Sequence, residues 1–538
     1  MPDLYPGVHT LRVEGGARAI ISNSTSTTAF LGIFRKGPVD EAVRITSWGQ
    51  FVEIYGGHWT HSEASYAVEH YFLNGGRVAY IVRTTWETDP ANPPTTPVKP
   101  ETADGDVDAK SPGTGAALRF DASSPGSWGN SVRIGVASDG TAGVYDLVIR
   151  QYAGASIVAE EVYSGLSTSQ SDPRFGPTIV NKTSRLVEMG ADDGEMPEPT
   201  DDGNGDTTLP YILQLDLSTL GEALSGGEDG LVPGDTGWTD RAVAALRGDA
   251  VDKTGLYALD RIAPDRFSLM CIPCTSRMAK TKAKDVIAEA TGYCKRNYAM
   301  LLVGAGEDNV PSDITDWFSE FNTNREYAAG LFPRVLFEDP DDPGTIRSQD
   351  PSGIHAGVMA RTDAARGVWK TPAGSEAGIA GGQLEYVLSD LDQEPLNRAG
   401  VNCMRQFPVI GAVVWGGRTL AGADLLASEH KYVAVARTSL MIESSLRDGL
   451  QWVVFEPNDE SLWGRIRLSV GSFMAGLHRE GAFQGTSAQD AYFVRCDSST
   501  TTQGDIDRGV VNIVVGFAPL KPAEFVIVRI QQIAGPVS

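Results

Sequence analysis

Along the first eighty residues the apolar positions alternate in short runs, switch once to helical spacing, and switch back. "VHTLRV" (8–13), "TAFLGIF" (28–34) and "RVAYIVRT" (77–84) have the density of β-strands. In "SEASYAVEHYFLNGG", Ala64, Ala67, Val68, Tyr71 and Phe72 repeat at three and four residues and predict a helix. Asn74-Gly75-Gly76 stops it, because glycine enters left-handed backbone at little steric cost. The next stretch, "TTWETDPANPPTTPVKPETADGDVDAK" (84–110), is Pro-rich and acidic, lacks apolar content to pack, and reads as a linker. After it, "ALRFDAS", "SVRIGVAS", "VYDLVIRQY" and "ASIVAEEVYS" alternate between Gly, Pro and Asp breaks, the pattern of a small inserted antiparallel β unit. A second acidic stretch, residues 190–206, is too polar to fold alone.

From about Leu256 strands and helices take turns: "RFSLMCIP", a helix over 282–296, "YAMLLVGA", a helix over 312–322, and "PRVLFED". Alternation of this kind predicts an α/β layer with helices covering a sheet. Past Lys431, "SLMIESSLRDGLQWVVF" and "DESLWGRIRLSVGSFMAGLHREGAF" read as helices, and "GVVNIVVGFAPL" and "EFVIVRIQQI" as closing strands. No internal repeat is present. The last strand is apolar on both faces, with Val526, Val528 and Ile530 on one and Phe525, Ile527 and Arg529 on the other, yet nothing follows it to pair with. Near the start, Val8 alternates with His9, Leu11 and Val13, and Gly15-Gly16 follows as a hinge.

The 538 residues suffice for three or four units of about 150 residues each. A net charge of −24 repels phosphate backbones and anionic membranes, which disfavours nucleic acid as a partner. No apolar run approaches the roughly 18 residues of a membrane span, and the N-terminus lacks the basic and apolar regions of a secretory signal. Synthesis in the bacterial cytoplasm without membrane insertion is the expectation. Five cysteines, at 271, 274, 294, 403 and 496, make no disulfide framework.

Catalytic constellations are sparse. Cys271-Ile-Pro-Cys274 has the spacing of a thiol-exchange site and supports an alternative reading as a cytosolic α/β redox enzyme. "TSRMAK" separates it from the next helix, however, so two buried small hydrophobes are the competing reading. In "LLVGAGEDN", Asn309 replaces the third glycine of a dinucleotide turn, and Asp202, Asn204 and Asp206 imitate a calcium loop in which Leu213 stands where a glutamate belongs. No metal, cofactor or catalytic residue is assigned. "PSGIHAGVMARTDAARGVWKTPAG" (351–374) reads either as an active-site loop or as a close-packed structural turn in which Asp363 pairs with a neighbouring arginine and Trp369 fills a pocket.

Several long motifs in order resemble the contractile tail sheath proteins of bacteriophages and related injection particles. They are "YPGVHTLRV", "STSTTAFLGIFRKGPVDEAVRITSWGQFVEIYGG", "YFLNGGRVAYIVR", "PGSWGNSVRI", "FGPTIVNKTSRLV", "SGIHAGVMARTDAARGVWKTPAG", "VVWGGRTL", "YVAVARTSLMIESSL", "WVVFEPNDESLWGRI" and "VGFAPLKPAEFVIVRIQQ". The resemblance implies a structural protein and no enzyme, with an α/β (α+β) sheath core over 21–85 and 256–518, an inserted β-rich outer domain over 86–255, and terminal arms at 1–20 and 519–538. It implies stacked hexameric rings around an inner tube protein, with baseplate and tail-terminator or cap proteins as further partners, in a phage virion or a headless injection particle. It also implies arms exchanged between neighbours to complete a β-sheet, carried by Val8, Leu11, Val13, Phe525, Val526, Ile527, Val528 and Ile530. On the helix near 459–481, Leu462, Ile466, Val470, Phe473 and Leu477 form the apolar stripe, leaving Arg465, Arg467 and Arg479 as candidate contacts to acidic groups of the tube. A surface-layer or adhesive β-protein is a weaker alternative.

Overall fold

The computed structural model describes residues 19–85, 101–108 and 116–524. The first strands are β1 (Thr28–Gly32), β2 (Ala42–Ile45) and β3 (Ala79–Arg83). Then come β4 (Asp104–Asp108), β5 (Ala116–Ala122), β6 (Val132–Ala137), β7 (Val144–Ala153), β8 (Ser156–Ser167), β9 (Val187–Ala191) and β10 (Glu222–Ala223). The chain continues through β11 (Leu269–Cys271), β12 (Met300–Gly304), β13 (Ala328–Phe332), β14 (Val335–Glu338), β15 (Ile346–Gln349), β16 (Gln383–Leu384), β17 (Val401–Phe407) and β18 (Gly411–Val414), and closes with β19 (Tyr492–Arg495) and β20 (Val514–Phe517).

The central sheet runs β18-β17-β13-β12-β11-β1-β3-β2, parallel from β17 to β3 with an antiparallel strand at each edge. β1 lies between β3 and β11, with Thr28 opposite both Ala79 and Leu269, so both sides of the outer β unit contribute to one sheet. Burial follows the period-two rule of a sheet covered on both faces. Ala29, Leu31, Met270, Leu301 and Val303 face the helices Trp238–Arg247 and Lys280–Asn297. Phe30, Leu269, Cys271, Met300 and Leu302 face Glu63–Leu73 and Ser352–Arg366. The helix Trp238–Arg247, expected in the outer unit, therefore packs with the core: its Trp238, Ala242 and Leu246 join the same buried cluster as β1.

Residues 352–366 form a helix rather than the turn or loop that their small residues suggest. Those residues have a packing role. A Cβ on Gly353 would sit 2.0 Å from the Ala67 carbonyl oxygen, and one on Gly357 would sit 2.6 Å from that of Tyr71, so the helices Glu63–Leu73 and Ser352–Arg366 touch backbone to backbone. The helix expected over 439–455 begins at Val433 and ends at Gly449. "WVVF" leaves it, and Phe455 is fully exposed at φ +70°, a conformation few bulky residues adopt.

Strands β4 to β10 build two small antiparallel sheets around a separate apolar cluster that includes Phe120, Trp128, Ile134, Leu147 and Met189. β4 falls inside the stretch expected to be linker. Its Val107 is buried, and the pairing with β5 supplies the hydrogen bonds that its composition cannot. Arg83, buried at the end of β3, donates to the carbonyls of Phe34 (2.9 Å), Gly37 (2.8 Å) and Pro125 (2.8 Å) and fastens this unit to the core.

The crevice at the carboxyl ends of β11, β12 and β13 is where an open α/β sheet usually binds a ligand. Here a buried ionic cluster fills it. Glu63 and Arg334 pair with almost no exposure, Arg277 donates to Glu63 (3.0 Å), and Ser276 donates to Glu63 (2.7 Å) and accepts from Arg334 (2.8 Å). Burial pushes the Glu63 carboxyl up, but Arg334 and Arg277 outweigh it and hold it below its ordinary range. Asp350 lies against β12, where a Cβ on Gly304 would meet its carboxylate at 1.8 Å. Burial and the neighbouring Glu63 push the Asp350 carboxyl up to about 6, with Ser352 and Arg334 partly opposing. The native state thus keeps this proton where the unfolded chain, titrating near 3.8, has lost it. Its contribution to stability is full below the unfolded value and disappears as the pH rises through about 6. Between pH 4 and pH 7.5 wild type is expected to lose roughly 2–3 kcal/mol relative to Asp350→Asn, read from urea midpoints of both proteins across that range; parallel curves would contradict the assignment.

Candidate assembly interface

The C-terminal part of the described chain packs the helices Val433–Gly449 and Glu460–Arg479 with a two-stranded ribbon of β19 and β20. Asp459 caps the longer helix by accepting from the Leu462 N–H (2.9 Å), and its buried face carries Leu462, Trp463, Ile466, Val470, Phe473, Met474 and Leu477, the expected stripe. One face of the ribbon covers this cluster through Tyr492, Val494, Val515 and Phe517. The other face leaves Phe493 and Val514 nearly half exposed, with the Arg495 guanidinium over the Phe493 ring. Among the described residues no further strand flanks either edge of the ribbon.

Both chain ends enter the described region beside the helix Val433–Gly449. At the C-terminal end, Arg418 is 1% exposed and holds Glu524 with two bonds, Nε to Oε1 (2.7 Å) and Nη2 to Oε2 (2.5 Å). Its Nη1 donates to the Asn397 carbonyl (2.8 Å) and to Asp424 Oδ1 (3.0 Å). The Arg418 backbone N–H donates to Asn402 Oδ1 (2.6 Å), and Asn402 Nδ2 donates to the Gly330 carbonyl (3.0 Å), so the pair is tied to β17 and β13. Tyr432, the N-cap of Val433–Gly449, donates its hydroxyl to Glu524 Oε2 (3.4 Å). Pro519 bridges to Phe483. The first residues of the expected arm, 519–524, are therefore fixed to the body. A cleft of about 1220 Å³ opens beside them, lined by Trp369, Lys370, Trp415, Lys521 and Pro522 among others.

At the N-terminal end, Ile20 packs on the last turn of the same helix, where a Cβ on Gly449 would approach it to 2.7 Å. The Asn23 N–H donates to Ser445 Oγ (2.9 Å), and Asn23 Nδ2 donates to Asp448 Oδ2 (2.8 Å). The buried Arg437 donates to both Asp363 oxygens (3.0 and 2.5 Å) and to the Thr25 carbonyl (2.7 Å), while Thr25 Oγ1 donates to Asp363 (2.6 Å). Asp363 does pair with an arginine, but one far along the chain rather than in its own segment.

The expected arm residues Val8, Leu11, Val13, Phe525, Val526, Ile527, Val528 and Ile530, and the Gly15-Gly16 hinge, lie outside the described residues. Arg465 and Arg467, expected to be available to a partner, are engaged within the subunit. Arg465 pairs with Glu456 (2.8 Å) over the Trp452 ring, and Arg467 pairs with Glu460 (2.6 Å) and donates to the Cys496 carbonyl. Arg479 has no carboxylate partner among the described residues; its Nε donates to the Ala475 carbonyl (3.3 Å). The same outward face carries Leu468, 56% exposed, and Gly471 and Gly476, with open space where a Cβ would stand.

Cys271 and Cys274 do not form an exchange site. Both are buried free thiols, Cys271 at the end of β11 and Cys274 inside the 3-10 turn Pro273–Arg277, and burial pushes Cys274 up to about 12 and Cys271 well above its ordinary value, the reverse of a reactive thiolate. Among the described residues no cluster of His, Cys, Asp or Glu has metal-binding geometry, and no helix is long and apolar enough to cross a membrane. Arg418, Glu524, Asn23 and Arg437 are the residues that sequence reasoning passed over. The one signal was Arg418 itself, a charge set in the apolar and glycine-rich stretch "VVWGGRTL".

Residues 427–533 match the family model of the phage tail sheath C-terminal domain. The tail sheath protein of Burkholderia phage BcepMu is 29% identical over 175 residues, covering 31% of this chain and 36% of that protein. The tail sheath protein of Vibrio phage KVP40 is 24% identical over 177 residues, 32% of this chain and 25% of that one, so these alignments span well under half of either relative. In fold the chain is similar to the sheath of an extracellular contractile injection system, PVC, in its contracted state, with a TM-score of 0.55 and 19% identity over 98% of this chain and 97% of that one. Near its C-terminal side the chain thus carries a match to the phage tail sheath C-terminal domain, its sequence relatives include tail sheath proteins, and over its length it has the fold of solved sheath proteins.

Proposed function

We propose that this chain is the sheath subunit of a contractile tail or injection particle. It polymerises as stacked six-fold rings around an inner tube, is nucleated at a baseplate, ends at a terminator or cap, and shortens to drive the tube outward. The observation that carries this reading is the β19–β20 ribbon. Two strands alone are marginal in water, and each open edge offers a row of unpaired N–H and C=O groups. The segments 8–13 and 525–530 read as short apolar strands at the two chain ends. Added to a ribbon in another copy, they satisfy those groups and bury side chains at roughly 1.5–3 kcal/mol per large aliphatic, against an ordering cost of about 1–2 kcal/mol per residue. A head-to-tail exchange of this kind does not close on itself and builds a helix. Chemistry at a bound ligand is unnecessary: an extended lattice held in a higher-energy packing releases its energy on triggering.

The unit built from β4 to β10 is then an outer domain, away from the tube. For the tube itself, the outward face of Glu460–Arg479 is the favoured contact, since Gly471 and Gly476 allow close approach around Leu468 and Arg479.

Removal of residues 525–538 is expected to leave a folded chain, judged by circular dichroism and a cooperative melt, that forms no ordered sheath under electron microscopy; ordered sheaths from the truncated chain would defeat the arm reading. Separately, Leu468→Glu with Arg479→Glu should yield sheaths that lack a tube while Arg465→Gln changes tube filling little. Normal filling by the double variant would remove this helix from the tube contact.

A further inference from the structure

The two chain ends meet the body at opposite ends of one helix. Tyr432, at the N-cap of Val433–Gly449, and the neighbouring Arg418 hold Glu524, the last described residue before segment 525–538. Ser445, Asp448 and Gly449, in the last turn, hold Asn23 and Ile20, close to the first described residue. Seventeen residues of α-helix span about 25 Å. This helix is itself fixed from the side: Arg437 binds Asp363 of the helix Ser352–Arg366, and Asp448 takes a two-bond contact from Arg266 (2.8 and 2.6 Å).

We propose that Val433–Gly449 is a strut that sets the separation and the exit directions of the two terminal arms, with Arg418 and the Asn23–Asp448 contact as its anchors. The proposal rests on the arm-exchange reading above and adds what that reading leaves open, namely where tension along an arm enters the subunit. Pull on residue 525 is taken by a buried, bidentate, charge-assisted pair, the strongest kind of side-chain hydrogen bonding available, and is passed through Asn402 to the central sheet. Pull on residue 19 is taken at the far end of the same rigid element. Each subunit then acts as a link of fixed length between its neighbours as rings rotate. A chain whose roots slid on the body would lose the register of the lattice even with both arm strands intact.

Two substitutions loosen one root each without touching an arm strand. Gly449→Ala improves helix propensity but drives a methyl group into Ile20. Glu524→Gln keeps the shape and removes the charge that Arg418 holds. Glu160→Gln is the control: it takes a carboxylate from another buried arginine, Arg150 in β7, and contacts neither root. In full-length protein at equal concentration, Gly449→Ala and Glu524→Gln should each cut the yield of ordered sheath at least tenfold, with circular dichroism and melting temperature close to wild type. Glu160→Gln should assemble normally. Asn23→Ala, which removes the side-chain bond to Asp448, replaces Gly449→Ala if that variant folds poorly. Wild-type yield and lattice spacing from both root variants would overturn the strut, as would an equal assembly defect in Glu160→Gln, since the loss would then follow weakening of the body. The chain lacking residues 525–538 separates the two ideas. Assembly by that chain removes the arm reading itself, whereas its failure beside normal assembly of the root variants removes the strut alone.

Discussion

Backbone groups at the edges of β19 and β20 impose the constraint on which the rest of the molecule depends. A ribbon of two strands of four residues each, laid on the helix Glu460–Arg479, buries one face and leaves the Phe493 side open, and among the described residues no further strand flanks either edge. Among the described residues, the edges of the central sheet are blunted. β18 is covered by residues 374–379, whose backbone bonds run to Ala412 and Val414, and β2 is a short antiparallel strand at the far side. Among the described residues the ribbon combines short strands, two edges that no further strand flanks, and a position beside the roots of both chain ends. On the proposed reading, the apolar sequences 8–13 and 525–530 of neighbouring copies finish this sheet.

A charge of −24 makes that arrangement more demanding, since identical acidic subunits repel one another over about a Debye length. The contacts of the proposed lattice must outweigh that repulsion. Backbone pairing with apolar burial can, because it is short-ranged and insensitive to net charge. The interior obeys the opposite economy. The strand-end crevice that would host a ligand in an enzyme of this architecture is occupied by Glu63, Arg334, Arg277 and Asp350, with Gly304 reduced to a hydrogen so that Asp350 can lie against the sheet. The five cysteines are likewise buried and free.

Strong periodicity was legible in the chain. The helices Glu63–Leu73 and Glu460–Arg479, the alternating strands β5 to β8 and the apolar strands β1, β11 and β12 follow from spacing alone. What escaped sequence reasoning shares one physical cause, dependence on residues distant in the chain. Gly353 and Gly357 look like loop residues until the backbone of Glu63–Leu73 is laid across them. Val433 and Val435 favour strand locally, yet they open a helix whose N-cap side chain reaches Glu524. β4 has one useful apolar residue, Val107, and exists because β5 lies beside it. The Arg418–Glu524 pair spans 106 positions and Arg437–Asp363 spans 74, separations at which no local pattern operates.

The central claim is that the ribbon is completed by strands from other copies. A helical cryo-electron microscopy reconstruction of the assembled full-length protein, at a resolution that traces backbone, tests it most directly. The account predicts that β19 and β20 gain flanking strands whose density leads back to residue 19 or residue 524 of neighbouring subunits. A ribbon that stays two-stranded in the assembled lattice, or one flanked by the ends of its own chain, would contradict it.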